Sequence, residues 1–148
     1  METRSNPGSF RSVPALETWL QGFLGEHGGI AGTVHERDGN VLLLRAAINI
    51  PPPVVAVTET IPKGKGMAGL AWERKRSVAV CNIQSDRSGD VKPGAKAVDA
   101  RAALAIPVRG DDGEVRAVVG IAFLGERDFT DADLGRFEAL AASVPASS

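Results

Sequence analysis

The chain of 148 residues contains one cysteine, Cys81. A lone cysteine excludes an internal disulfide framework and fits a reducing compartment. There is no excess charge of either sign: 17 Lys and Arg stand against 18 Asp and Glu. That balance leaves no global field to draw in nucleic acid or an anionic membrane. No apolar run approaches the ~20 residues needed to span a bilayer, and the N-terminus lacks a signal-peptide core. Internal repeats are missing too. His27 and His35 fall at a helix end and in a strand, with no Cys, Asp or Glu spacing that joins them into a metal set. No Ser-His-Asp or paired-carboxylate arrangement stands out by spacing. These absences leave a soluble, cytoplasmic single domain, with no nucleic-acid or membrane partner and no cofactor named by the sequence. Its length suffices for a real core, since about two-thirds of the unfolded surface can be buried.

What the chain does have is concentrated in Thr58 to Asp86. This stretch reads as a short strand, a glycine turn, a two-turn helix, a second strand and a polar loop. Gly64 and Gly66 permit a sharp reversal. Met67, Leu70 and Ala71 then form one apolar helix stripe, with Gly69 allowing close approach of another backbone. Lys75 and Arg76 close the helix, where positive charge suits its dipole. Val78 to Val80 reads as a buried strand that delivers Cys81, Asn82, Gln84 and Asp86 to one place. The run Gly64-x-Gly66-x-x-Gly69 satisfies a dinucleotide-binding pattern, but a true fingerprint follows a buried strand inside a parallel βαβ unit. Here the preceding segment is short and polar, and the neighbouring strands pair as hairpins. No Gly-Lys-Ser/Thr follows to make a phosphate-binding loop.

Taken in order, residues 1–12 read as a flexible N-terminal tail, 13–144 as the domain, and 145–148 as a C-terminal tail. Ser12 is expected to cap a first helix over residues 13–27, with Pro14 in its first turn. Val13, Leu16, Trp19, Leu20, Phe23 and Leu24 make its stripe, which Trp19 widens, and Gly28-Gly29 stops it. Gly29 to Glu36 and Asn40 to Ile48 are strands joined at Asp38-Gly39, a strong hairpin signal. Val54 to Val57 fits one helical turn. Residues 87–101 form a long loop, of a length that is usually functional or disordered. Ala102 to Arg109 and Glu114 to Leu124 make a second hairpin through Asp111-Asp-Gly113. Thr130 caps a closing helix over residues 131–143, with Asp131 and Asp133 favourable in its first turn. The fold class is therefore α+β: a central antiparallel sheet with the N- and C-terminal helices on one face.

Several of these segments together resemble a known family. Ile61-Pro-Lys-Gly-Lys-Gly-Met-Ala-Gly-Leu-Ala-Trp72, then Ser77-Val-Ala-Val80 and the Asn82-to-Asp86 loop, resemble the central signature of GAF domains. Leu104-Ala-Ile-Pro-Val-Arg-Gly110, Val118 to Phe123 and Phe129-Thr-Asp-Ala-Asp-Leu134 resemble the last two strands and closing helix of that family. The resemblance covers nearly the whole chain. It implies a GAF/PAS-like architecture, with a ligand pocket of loops and short helices on the sheet face opposite the terminal helices. It also implies binding of a small molecule and pairing into a homodimer. One enzyme class in the family, the free methionine-R-sulfoxide reductases, resembles this chain through Gly64 to Leu70 and again before Pro107. Those enzymes use one cysteine in the glycine turn and another in the long loop. Here the turn position is Ala68 and the loop around Lys96 has no cysteine, so the attacking and resolving thiols are missing. The polar set of the cyclic-nucleotide-binding members has no counterpart here, and the bilin-binding members hold their cysteine in a different setting.

The candidate ligand-binding residues are Asn82, Gln84 and Asp86, with Lys92, Lys96 and Arg101 from the long loop, flanked by Trp72 and Cys81. The three bases offer charge-assisted hydrogen bonds to a small polar or anionic ligand. The bland alternatives are that Trp72 is core, that Cys81 is a small buried hydrophobe, and that the loop's acids and bases pair at the surface. Trp19 at the edge of the first stripe suggests a dimer surface on the terminal helices. Two function classes follow. One is a non-catalytic sensory domain, acting through a dimer or a separate output protein. The other is a thiol-dependent redox enzyme using Cys81. The residues favour the first.

Overall fold

The computed structural model describes residues 10–81 and 101–147. The elements run α1 (Pro14–His27), β1 (Ala31–Asp38), β2 (Val41–Ile48), α2 (Pro52–Thr58), β3 (Thr60–Pro62), α3 (Gly66–Arg74), β4 (Val78–Val80), β5 (Ala102–Arg109), β6 (Val115–Phe123) and α4 (Asp131–Ala141). The strands form one sheet in the order β3-β2-β1-β6-β5-β4, and every neighbouring pair is antiparallel. Both hairpins form at their Asp-Gly turns, with Gly39 and Gly113 at positive φ. The expected antiparallel α+β layer is the observed one.

α1 and α4 pack on one face. Leu16, Leu20, Phe23 and Leu24 of α1 and Phe137 and Ala141 of α4 join Val34, Leu104, Ile106, Val119 and Ile121 of the sheet in one buried cluster. The centre of that layer is aromatic: Phe137 meets Phe23, Phe123 and Phe129 edge-on, with ring centroids 6.3–6.5 Å apart. Such edge contacts place the positive ring rim on a negative face and add to the area buried. Trp19 belongs to this layer. It lies half-buried, stacks on Phe23 at 4.8 Å, and its Nε1–H donates to Ser143 Oγ at 3.0 Å. The widened stripe of α1 is thus covered by the chain's own C-terminal segment.

α4 starts as the sequence indicates. Thr130 Oγ1 accepts from the Asp133 amide and the Asp133 carboxylate accepts from the Thr130 amide, a reciprocal capping box. α1 differs. Its N-cap is Val13, and Ser12 spends its hydroxyl on the Ala47 backbone instead, accepting from the Ala47 amide at 3.1 Å. The expected Ser12 cap is therefore corrected: pairing to β2 competes with capping and wins. Beyond α4, the amide and hydroxyl of Ser147 both donate to the Glu36 carboxylate, which also receives Arg45 Nε.

Two irregularities set which residues face which layer. In β2, His35 lies opposite Leu44 and Val34 opposite Ala46, so Arg45 is an extra residue. In β6, Arg109 lies opposite Val115 and Val108 opposite Ala117, so Arg116 is extra. Each extra residue reverses the inside-outside alternation, as a β-bulge does. Leu42 and Val115 consequently face α3, while Ala46 and Ala117 face α1 and α4.

α3 and its turns lie on the second face, connecting edge strand β3 to the opposite edge strand β4. Gly64 and Gly66 take positive φ in the turn. A Cβ on Gly69 would stand 2.6 Å from the Pro62 carbonyl oxygen, so only glycine allows the turn to rest on the helix. Ala71 and Trp72 of α3 close over Leu42, Val78, Ala105, Val115 and Val118. With β3 and β4 at opposite edges and no parallel pairing among the described residues, the Gly-x-Gly-x-x-Gly run lies outside any described βαβ unit.

Candidate functional site

The second face is not filled evenly. The antiparallel register places Ala31, Ala122 and Ala103 side by side across β1, β6 and β5, and Thr33, Gly120 and Ala105 in the next row. Six small residues in two adjacent rows leave space between the sheet and the segments from α2 to the start of α3. One row further on, His35 stands opposite Val118, which Trp72 and its cluster cover. The result is a cavity of about 380 Å³ over the two small-residue rows. Its cover comes from Ile50, Val54, Val57 and Thr58 around α2, from Thr60 to Pro62 of β3, and from Lys65 to Ala68 at the start of α3. Most of this lining is apolar, and it lies on the face opposite the terminal helices. That is the usual character of a small-molecule site: an apolar hollow with a few placed polar groups.

The most unusual of those groups is His35. It is 2% exposed, and its Nε2 lies 2.9 Å from the Thr58 carbonyl oxygen. A carbonyl only accepts, so the proton sits on Nε2 and Nδ1 carries a lone pair. Nδ1 is buried and has no hydrogen-bond partner among the described residues. Burial pushes the ring's pKa down from 6.5 to about 4, opposed by the bond to Thr58. The imidazole is therefore neutral at physiological pH. Of the other lining hydroxyls, that of Thr58 is directed at the Val54 carbonyl at 2.8 Å.

The start of α3 offers a second polar feature. Lys65 is the N-cap and gives no side-chain cap, and among the described residues the amides of Gly66, Met67 and Ala68 find no acceptor. Free amides at a helix start carry partial positive charge.

The sequence-derived site residues divide between described and undescribed positions. Asn82, Gln84, Asp86, Lys92 and Lys96 lie outside the described residues. Trp72 packs in the α3 cluster with the Lys63 ammonium 5.4 Å from its ring centroid, and is not part of the cavity lining. Arg101 is exposed, and its amide donates to the Phe123 carbonyl. Cys81 is exposed at the end of β4, which corrects its reading as a buried hydrophobe: the strand's alternation stops at Val80. Of the described site residues, none lines the cavity. The cavity was missed because it is made of small residues, which attract no notice in a search for polar clusters. The usable signal was in β1, where Ala31, Thr33 and His35 alternate with the core residue Val34.

Among the described residues no group of three His, Cys, Asp or Glu could hold a metal ion, and no helix is long and apolar enough to cross a membrane.

Solved structures share this architecture. The type II free methionine-R-sulfoxide reductase of Thermoplasma acidophilum superposes with a TM-score of 0.70 at 15% identity, over 87% of this chain and 85% of that one. The GAF domain of a phosphoenolpyruvate-protein phosphotransferase from Coxiella burnetii gives 0.71 at 17%, over 92% and 82%. A GAF domain/HD domain protein from Geobacter sulfurreducens gives 0.67 at 14%, over 95% and 94%. At such identities the likeness speaks for the fold, and it spans both GAF domains of other proteins and an enzyme. No curated protein matches the chain. The profile of the GAF domain family matches residues 15–144. With that match spanning the helices, the sheet and the cavity between them, the chain belongs to the GAF domain family.

Proposed function

We propose that this GAF domain is a non-catalytic small-molecule sensor whose ligand enters the cavity between the small-residue floor and the α2–β3–α3 cover. The observation that carries this reading is the floor itself. Six small residues in register across three central strands leave about 380 Å³ of mainly apolar space. An apolar hollow of that kind readily takes an apolar guest. Against a thiol enzyme stands the single cysteine, exposed and apart from the cavity lining. Reduction of a sulfoxide by thiols needs an attacking and a resolving sulfur.

The signalling part of the reading is a homodimer through the α1–α4 layer, or a separate output protein, in the cytoplasm. Leu140, 41% exposed on α4, supports a contact there. Sedimentation at rising protein concentration tests the dimer, and a monomer throughout would refute it.

Thermal shift against a panel of small apolar and amphiphilic molecules tests the binding reading. A ligand at about 100 times its Kd adds about 2.7 kcal/mol to stability. Ala103→Leu puts bulk into the floor and should abolish the shift while the far-UV circular dichroism stays native. A ligand whose shift survives that substitution binds somewhere else.

A further inference from the structure

We propose that the Thr33 hydroxyl is the polar anchor of the cavity and that Gly120 opens the niche beside it, so that the ligand is a compact, mainly apolar molecule seating one neutral polar group over Gly120. The inference rests on the cavity being the ligand site and adds where on its floor the ligand is read. Thr33 of β1 lies opposite Gly120 of β6, and Gly120 lies opposite Ala105 of β5. Ala105 packs in the α3 cluster, so the side chains of this row stand on the cavity face, and Thr33 and Gly120 both line the cavity. A Cβ built on Gly120 would meet Thr33 Oγ1 at 2.7 Å. Its chain neighbours aside, the next nearest described atoms are Thr33's own Cβ and amide nitrogen, at 4.0 Å. The hydroxyl therefore leans over the glycine, and the spot beside it is open on its other sides.

This hydroxyl is within reach of a guest. Thr33 is half-buried, and its backbone is paired on both sides, to Ala47 and to Gly120, so what it exposes is side chain. Among the described residues its Oγ1 has no hydrogen-bond partner, and it is not one of the fully buried orphans, which are His27 Nε2, His35 Nδ1 and Glu59 Oε2. A hydroxyl offers one donor and two acceptor lone pairs, so it can pair with a carbonyl, an ether, a hydroxyl or an N–H of the guest. An ionised group does not suit the spot, because one neutral hydrogen bond does not offset the lost hydration of a charge. A guest of the same shape without a polar group leaves the hydroxyl dry and unpaired, which sets it apart from the guest that pairs. Glycine at 120 serves this contact, since a β-carbon there would occupy the approach to Oγ1.

Phenol and toluene form a matched pair of probes: one ring carrying either an O–H or a methyl group of similar size. Their affinities for the full chain are measured by NMR titration, for wild type, Thr33→Val and Thr33→Ser. Valine keeps the branched shape and removes the hydroxyl; serine keeps the hydroxyl. Thr33→Val should bind phenol about five- to tenfold more weakly than wild type, the worth of one neutral hydrogen bond, and toluene no more weakly. Thr33→Ser should keep most of the wild-type ratio of phenol to toluene affinity. Should the valine variant not fold, the wild-type complex gives the answer: bound phenol should show nuclear Overhauser contacts to the Gly120 Hα and the Thr33 methyl. A ratio unchanged in Thr33→Val, a ratio lost equally in Thr33→Ser, or phenol bound in the cavity without contact to Gly120 overturns the inference and leaves the cavity reading intact. Binding of neither probe, or binding outside the cavity, overturns the cavity as a site for small apolar molecules, and the inference with it.

Discussion

Lowering the pH from 7.5 to 5 should destabilise the protein by about 2 kcal/mol through His35 alone. The unfolded chain takes up a proton on this ring near pH 6.5, the folded chain only near 4, because burial disfavours the charged form. Between those values the unfolded state holds more protons, so stability falls as the pH falls. Above 6.5 both states are neutral and nothing is lost; below 4 both are charged and the loss levels off at about 3 kcal/mol. At pH 5 some two-thirds of that loss has been reached, about 4–8 °C in Tm for a chain of this size. Urea unfolding across this range, for wild type and His35→Gln, provides the assay. Glutamine keeps a donor for the Thr58 carbonyl and has no ring to titrate, so the difference between the proteins isolates His35. Asp133, held below its ordinary value chiefly by the Thr130 amide and hydroxyl, titrates under this window and cancels in the comparison. Identical pH slopes in the two proteins would refute a buried, neutral imidazole.

Three further substitutions probe the frame around the cavity. Gly69→Ala pushes a Cβ against the Pro62 carbonyl and should cost about 1–3 kcal/mol, read as a lower urea midpoint. Phe137→Ala empties the centre of the aromatic layer and should cost about 3–5 kcal/mol in the same measurement, a value near zero showing that the layer is not packed as described. Thr130→Ala removes one half of the capping box and should cost about 1 kcal/mol, with Thr130→Ser restoring most of it.

The fold was legible wherever a local residue choice fixes the backbone. Asp38-Gly39 and Asp111-Asp-Gly113 set the hairpins, Thr130 with Asp133 set the start of α4, and the stripe of α1 named its buried face. Illegible features were those decided by competition between distant segments. Ser12 has the chemistry of a cap, but the Ala47 backbone 35 positions away claims its hydroxyl. Arg45 and Arg116 look like ordinary exposed strand residues, and only the pairing of their neighbours makes them bulges. Once the phase reverses at those points, a strict alternation of two assigns Ala46 or Val115 to the wrong layer. The cavity suffered from the same blindness. Ala31, Ala122 and Ala103 are far apart in sequence, and their smallness acquires meaning only when β1, β6 and β5 bring them into one row.

Backbone hydrogen bonds hold those three strands in register whatever side chains they carry, so the depth of the hollow can vary independently of the sheet. A methyl group added at Ala103 or Ala122, both only partly buried, would change the volume of the cavity while leaving the ladder in place. Gly120 is the exception, since a Cβ there would come within 2.7 Å of Thr33 Oγ1 and the two positions must change together. If the cavity takes a ligand as proposed, its preference can therefore drift by single substitutions at the partly buried floor positions, with the sheet unchanged. Divergence among its descendants should concentrate at the floor positions before it reaches the turns.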